Sequence, residues 1–167
     1  MLATPHILTG AALAVATGNP YLGFAAAFVS HHLTDLLPHY DTARHHPHEP
    51  DDPDFVRPWD KKDLQLFGVD MTASLVILFF LFWRSAMSVE LSALILVGAI
   101  GSIISDVWDN SPLWNRWARL TRFGRLFHRF HRRCHWKPRF SAGALITELF
   151  FTFAFIILPL YYLWGKI

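Results

Sequence analysis

Two long apolar blocks, Leu64 to Trp83 and Leu145 to Trp164, restrict what this chain can fold into more than any other feature. Each holds about 20 residues, which at ~1.5 Å per helical residue matches a hydrocarbon layer of roughly 30 Å. Inside such a layer every backbone N–H and C=O must find a partner within the segment, so blocks of this kind become helices. A third block, Leu91 to Ser105, is shorter and can be lengthened by Ser88, Val89 and Trp108. With 53% hydrophobic residues and a mean hydropathy of +0.27, the chain reads as an all-α, polytopic membrane helix bundle.

The region from Pro5 to Leu37 holds two further apolar runs joined by Gly18, Asn19 and Pro20, a tight-turn signal. Counting them gives about five apolar helices. The first run covers only about two-thirds of a bilayer, so the pair also suits a short hairpin inserted from one side. The whole of 1–167 is expected to form one integral-membrane domain, with a polar His/Asp/Pro-rich loop at 38–59 and a basic interfacial helix at about 112–135. The N-terminus lacks the basic flank and cleavage site of a secretory signal. Cys134, the single cysteine, can form no internal disulfide.

Helix-end signals then place the polar residues. Thr4 before Pro5 reads as an N-cap that puts His6 in an opening turn. Pro38 stops the second helix just beyond His31 and Asp35. Asp60 and Asp63 resemble a capping pair opening the third helix, with Asp70 about two turns further in. Asp106 and Asp109 close the fourth, and Glu148 falls near the start of the last. Whether the first pair crosses or turns back, these ends emerge on one membrane face. His6, His31, Asp35, His39, Asp41, Asp70, Asp106, Asp109, His128, His131, His135 and Glu148 are thereby gathered together. Of the fifteen Lys and Arg residues, nine lie between Arg116 and Arg139, so the positive-inside tendency makes this face the cytoplasmic side of a cell membrane. Leu120, Phe123, Phe127 and Phe130 form one stripe of the basic segment and its histidines a neighbouring one, a pattern suited to anionic lipid headgroups.

His31 and Asp35 share a helix face, the spacing at which one helix offers two ligands to an ion; His32 and Asp35 could do the same. Ionisable residues inside apolar spans are costly enough to suggest function, which draws attention to Asp70 and Glu148. His45, His46 and His48 read as linker residues, and Cys134 as incidental. There is no "HExxH", "GxSxG", Walker sequence or CxxC, and the basic stripe, hemmed between spans, gives no expectation of nucleic-acid binding. Mixed histidine and carboxylate ligands suit a divalent metal, zinc above all, with enough donors for two ions.

The run "TPHILTGAALA" followed by "SHHLTDLLPHYD", with a later acidic helix end and a histidine-bearing basic segment, resembles the predicted membrane-bound metal-dependent hydrolase family. The resemblance implies His6, His31, Asp35 and Asp41 as site residues, with Asp106 and the histidines of the basic segment, His128 and His131 among them, as further members. The leading expectation is a membrane-embedded metal-dependent hydrolase acting on a lipid-linked or amphiphilic ester or phosphoester, in which Asp70 or Glu148 accepts a proton from the attacking water. The alternatives are a non-hydrolytic divalent-metal binding or transport protein, and a membrane scaffold that binds anionic lipid through its basic helix.

Overall fold

The computed structural model describes residues 2–40, 59–85, 88–111, 113–136 and 142–167, with no strand among them. In chain order the helices are α1 (Ala3–Thr17), α2 (Pro20–Asp35), α3 (Lys61–Ser85), α4 (Val89–Asn110), α5 (Asn115–Ala118), α6 (Arg122–Cys134) and α7 (Ala142–Trp164). Three of them, α3, α4 and α7, are long and apolar enough to cross a membrane. The 15 residues of α1 and the 16 of α2 fall short of that length. By length and composition the count is therefore three helices rather than about five.

The turn between α1 and α2 follows its residues. Gly18 closes α1 in the left-handed conformation, and Asn19 accepts from the backbone N–H groups of Tyr21 and Leu22 ahead of Pro20. The two helices pack against each other and both pack on α4; α7 also packs on α1. Gly10 of α1 and Gly98 of α4 let the backbones approach: a Cβ on either would collide with the other's carbonyl oxygen. Towards one end of the bundle, Leu8, Ala11, Leu81, Ile95 and Leu163 form a buried apolar cluster. Large apolar side chains also face outward, including Val76, Phe79 and Trp83 of α3 and Phe150, Phe153 and Ile157 of α7, as lipid contact requires.

At the other end the helix termini are tied by polar groups. Asp60 and Asp63 form the expected reciprocal cap: Asp63 N–H donates to Asp60 Oδ1 at 2.8 Å and Asp60 N–H to Asp63 Oδ2 at 3.1 Å. The start of α1 departs from expectation. Thr4 lies inside the helix, the N-cap position is Leu2, and no side chain at that position caps it. Asp70 of α3 supplies the acceptor instead, taking Ala3 N–H at 2.5 Å, Thr4 N–H at 3.3 Å and the Thr4 hydroxyl at 2.6 Å. An anion at a helix N-terminus is favourable both by hydrogen bonding and by the helix dipole.

The basic segment is broken rather than continuous. A turn of helix, α5, is followed by a fresh start at Thr121, whose hydroxyl accepts from Gly124 N–H at 2.9 Å. On α6 the expected stripes hold in part: Leu120, just before it, Phe123 and Phe130 are exposed and His128 and His131 are buried, but Phe127 is half-buried against His32 and His131 and Leu126 joins the exposed face instead.

Candidate metal centre

Asp35, at the last turn of α2, is fully buried and stands at the middle of a histidine cluster. His6 Nε2 of α1 lies 3.0 Å from its Oδ1, and His39 Nε2 lies 3.9 Å from the same oxygen. On the Oδ2 side are His135 Nε2 at 3.3 Å, His31 Nε2 at 3.4 Å and His131 Nε2 at 3.9 Å. His131 Nε2 also lies 3.1 Å from His31 Nε2 and 3.4 Å from Asp106 Oδ1. Five histidines thus turn the same ring atom toward one carboxylate, drawn from α1, α2, α6 and the residues just after α2 and α6.

The outer ring nitrogens decide what those inner atoms can do. His39 Nδ1 is 2.8 Å from the Leu37 carbonyl, which can only accept, so Nδ1 holds the proton and Nε2 presents a lone pair when the ring is neutral. His131 Nδ1 lies 3.1 Å from Asp109 Oδ2 and donates to it. In His6, Nδ1 is 3.2 Å from the Thr34 hydroxyl, whose own proton goes to the Ser30 carbonyl at 2.9 Å, which makes Nδ1 the donor. When neutral, each of these rings aims a lone pair at carboxylate oxygens, an arrangement that is relieved either by protonation of the ring or by a metal cation lying among the atoms. A histidine whose far nitrogen is held by a carboxylate or carbonyl is the usual arrangement of a metal-ligating ring.

The spacing suits a small cation. Donors about 2.0–2.1 Å from a tetrahedral ion lie about 3.3 Å from one another, close to the 3.0–3.4 Å separations among His6, His31, Asp35, His131, His135 and Asp106. Ligand atoms able to share one ion group as His6, His31 and Asp106; as Asp35, His131 and His135; and as His31, His32 and His131. The first two groups have no member in common. Buried histidine and aspartate side chains here can hold a metal ion.

On α6 and just after it, two ring pKa values are displaced. Burial disfavours charge on His131, but its hydrogen bond to Asp109 and the charges of Asp106, Asp109 and Asp35 outweigh this and raise its value. His135 keeps about a quarter of its side chain accessible, yet its Nε2 faces inward. Burial there pushes its ring down to about 4 against the opposing charge of Asp35.

Of the residues expected from sequence, His6, His31, Asp35, Asp106 and His131 come together in this cluster. His128 stands one step out: its Nδ1 lies 2.9 Å from Asp109 Oδ2, beside the His131 contact, and it belongs to none of the three ligand groups. Asp70 is engaged at the start of α1. Glu148 is buried and accepts from the Trp136 indole at 3.3 Å, while Trp136 N–H donates to the Asp35 carbonyl at 2.6 Å. Asp41, with most of the polar loop including His45, His46 and His48, lies outside the described residues.

His39 and Asp109 join the arrangement without having been singled out as ligands, while His32, the alternative partner of Asp35, and His135, one of the basic-segment histidines, join it as well. His39 follows Asp35 by four residues, but Pro38 hid that spacing by ending the helix. His135 follows His131 by four on one face of the basic segment, a usable signal. No family model matches the chain, and no curated protein and no solved structure matches it. The class of protein is therefore defined by its own architecture: a helical protein with three helices able to span a membrane and buried His/Asp groups able to hold a metal ion.

Proposed function

We propose that the protein is a membrane-embedded metal-dependent hydrolase of the membrane-bound metal-dependent hydrolase family, with its centre on the cytoplasmic face of a cell membrane. Its substrate is a lipid-linked or amphiphilic ester or phosphoester. The observation that carries this reading is the convergence of five histidine Nε2 atoms on Asp35, with the far nitrogens of His39 and His131 held by the Leu37 carbonyl and Asp109. Five rings around one buried carboxylate exceed what a single charge pair needs, which supports a shared cation at their centre.

Mixed nitrogen and carboxylate donors favour zinc, and the two ligand groups without a shared member favour a pair of ions. A divalent ion held there supplies Lewis acidity toward water and toward a carbonyl or phosphoryl oxygen. The protein's own part is to fix the ligands and to move a proton. Glu148 is the better proton acceptor of the two acids expected for that role, since Trp136 joins it to the Asp35 backbone, whereas the oxygens of Asp70 already take the start of α1. Asp106, with a quarter of its side chain accessible, marks an approach to the centre. The α1–α2 hairpin is read as entering from the same face as α6, whose exposed Phe123, Leu126 and Phe130 rest in the interface with Arg122 and Arg133 toward anionic headgroups.

Element analysis of the pure protein in nanodiscs, beside turnover of fluorogenic esters and phosphoesters, tests this. One or two ions per chain, with turnover lost to a chelator and restored by zinc, is the expected result. Folded protein that takes up no stoichiometric divalent ion would end the reading. A second reading, non-hydrolytic metal binding, draws on the overlap of the ligand groups at His31 and His131, which offers an ion alternative ligand sets. It expects bound metal with no turnover of any ester.

A further inference from the structure

Beside the cluster, Arg119 and His128 hold buried polar atoms that have no hydrogen-bond partner among the described residues. Arg119 Nη2 donates to the Asp109 carbonyl at 2.9 Å and lies 3.3 Å from Asp109 Oδ1, but its Nε and Nη1 are buried without a hydrogen-bond partner. The side chain is only 12% accessible. His128 is packed against it, with Nδ1 at 3.0 Å from Arg119 Nη2, and its Nε2 is likewise buried and unpartnered. Nδ1 also lies 2.9 Å from Asp109 Oδ2, and the carboxylate is its stronger partner, so Nδ1 holds the proton and Nε2 of the neutral ring is a lone pair. Buried polar groups are nearly always paired, and a guanidinium with most of its N–H groups unpaired is costly.

What would satisfy both side chains is an acceptor of several N–H groups that also carries one hydroxyl. A monoprotonated phosphate fits that description: an oxygen accepts from Arg119 at Nη1 or at Nε, the two lying on different edges of the guanidinium, and its P–OH donates to His128 Nε2. A carboxylic ester has no proton to give, and neither has a phosphodiester. The surrounding chain favours an anion, since Arg116, Arg119, Arg122 and Arg125 fall within ten residues that include no acid. Asp109 joins the two sites, because the carboxylate that meets Arg119 and His128 also takes His131 Nδ1.

We propose that Arg119 and His128 form a subsite for a terminal phosphate group, a phosphomonoester or free phosphate, next to the candidate metal centre. The inference rests on the hydrolase reading for its purpose and narrows the substrate or product to the phosphomonoester class; the binding itself is testable without that reading.

The probes are inorganic phosphate, titrated calorimetrically into the full chain in phosphatidylcholine nanodiscs, and nanodiscs containing phosphatidic acid or, at equal mole fraction, phosphatidylglycerol. Protein is used both as purified and after chelation, with metal content measured on the same samples. Saturable phosphate binding that survives chelation is expected. It should weaken by about tenfold or more in Arg119→Lys, which keeps the charge, and in His128→Asn, which keeps a donor to Asp109 but removes Nε2. Displacement of phosphate by phosphatidic acid and not by phosphatidylglycerol identifies a lipid source; binding of inorganic phosphate alone identifies a soluble one. Either supports the subsite. Absence of saturable binding of both inorganic phosphate and phosphatidic acid to the parent protein overturns it. So does binding unchanged in both variants, or equal displacement by the two lipids. Binding that disappears with the metal also overturns it, by assigning the phosphate to the metal centre, while an absent metal with phosphate still bound fails the hydrolase reading alone.

Discussion

Towards one end of the bundle, Leu8, Ala11, Leu81, Ile95 and Leu163 are packed out of contact with their surroundings; at the other, His6, His31, His39 and His131 are just as buried around Asp35. The two interiors answer to different physics. Apolar side chains gain by close contact wherever their shapes fit, so the first cluster tolerates substitution in proportion to volume. Buried titratable groups are tolerated only when each is paired, so the second depends on every member being placed. Its members come from α1, α2, α4 and α6 and from the segments leaving α2 and α6, whereas the apolar cluster uses the middle of α1 and the far halves of α3, α4 and α7.

The sharpest way to separate the two ends is a crossed pair of variants. Asp35→Asn removes the carboxylate shared by the histidines with little change in shape, and metal affinity should fall by more than about 100-fold while the helices persist. Leu81→Ala should lower stability by about 2–5 kcal/mol and leave the metal content of the folded fraction unchanged. Thermal melts and element analysis on both variants measure this; equal loss of metal in the two would mean that the ends are one cooperative unit. A step down in size is Asp109→Asn, which removes the carboxylate behind His131 and His128 without removing a ligand. An affinity drop of about 10–100-fold is expected, and an unchanged affinity would reduce Asp109 to a structural partner.

The pH response should be confined to the polar end and should contain two opposed contributions. In the metal-free protein, the raised value of His131 adds stability that is fully present below the ordinary histidine value near ~6.5 and is lost as pH rises through the folded-state value. His135, pushed down to about 4, works the other way: between that value and ~6.5 the unfolded ring binds more protons, so stability falls as pH drops through this window. An ion must displace the proton of His131, so metal affinity should weaken as pH falls through its raised value. Calorimetry in two buffers of different ionisation enthalpy, repeated over a pH series, should detect proton release on ion binding that grows as pH falls through that value; no release at any pH would show that His131 is not a ligand.

The smallest expected effect lies outside both interiors. Exposed Arg122 and Arg133 can be replaced together by glutamine, whereas Arg125 is unsuitable because its Nη1 donates to the Arg119 and Leu120 carbonyls at 3.1 Å. Removing the two charges should cost about 1 kcal/mol each in affinity for anionic vesicles and flatten its salt dependence, with melting unchanged. Unfolding of this variant would transfer both arginines to intrachain pairing.

The order of helices, the Asn19 turn, the Asp60–Asp63 cap and the amphipathic division of α6 depend on neighbours a few residues apart, and so were legible in the sequence. So was the gathering of His6, Asp35, Asp106 and His131, because apolar helices of sufficient length leave polar ends only where they stop. What neighbouring residues could not reveal is which partner each end acquires. Thr4 looked like a cap by itself, yet the acceptor came from Asp70, 66 positions away. His39 stood beyond a proline, and only the return of the chain toward Asp35 brought its ring to the cluster. His128 and His131 were equal by spacing; the tertiary structure set His131 against Asp35 and Asp106 and left His128 against Asp109 and Arg119. Local patterns determine where a helix begins, ends and turns its apolar face, because those energies come from adjacent residues. Which nitrogen meets which carboxylate depends on how four helices are rotated and offset against one another, and that is decided by their packing.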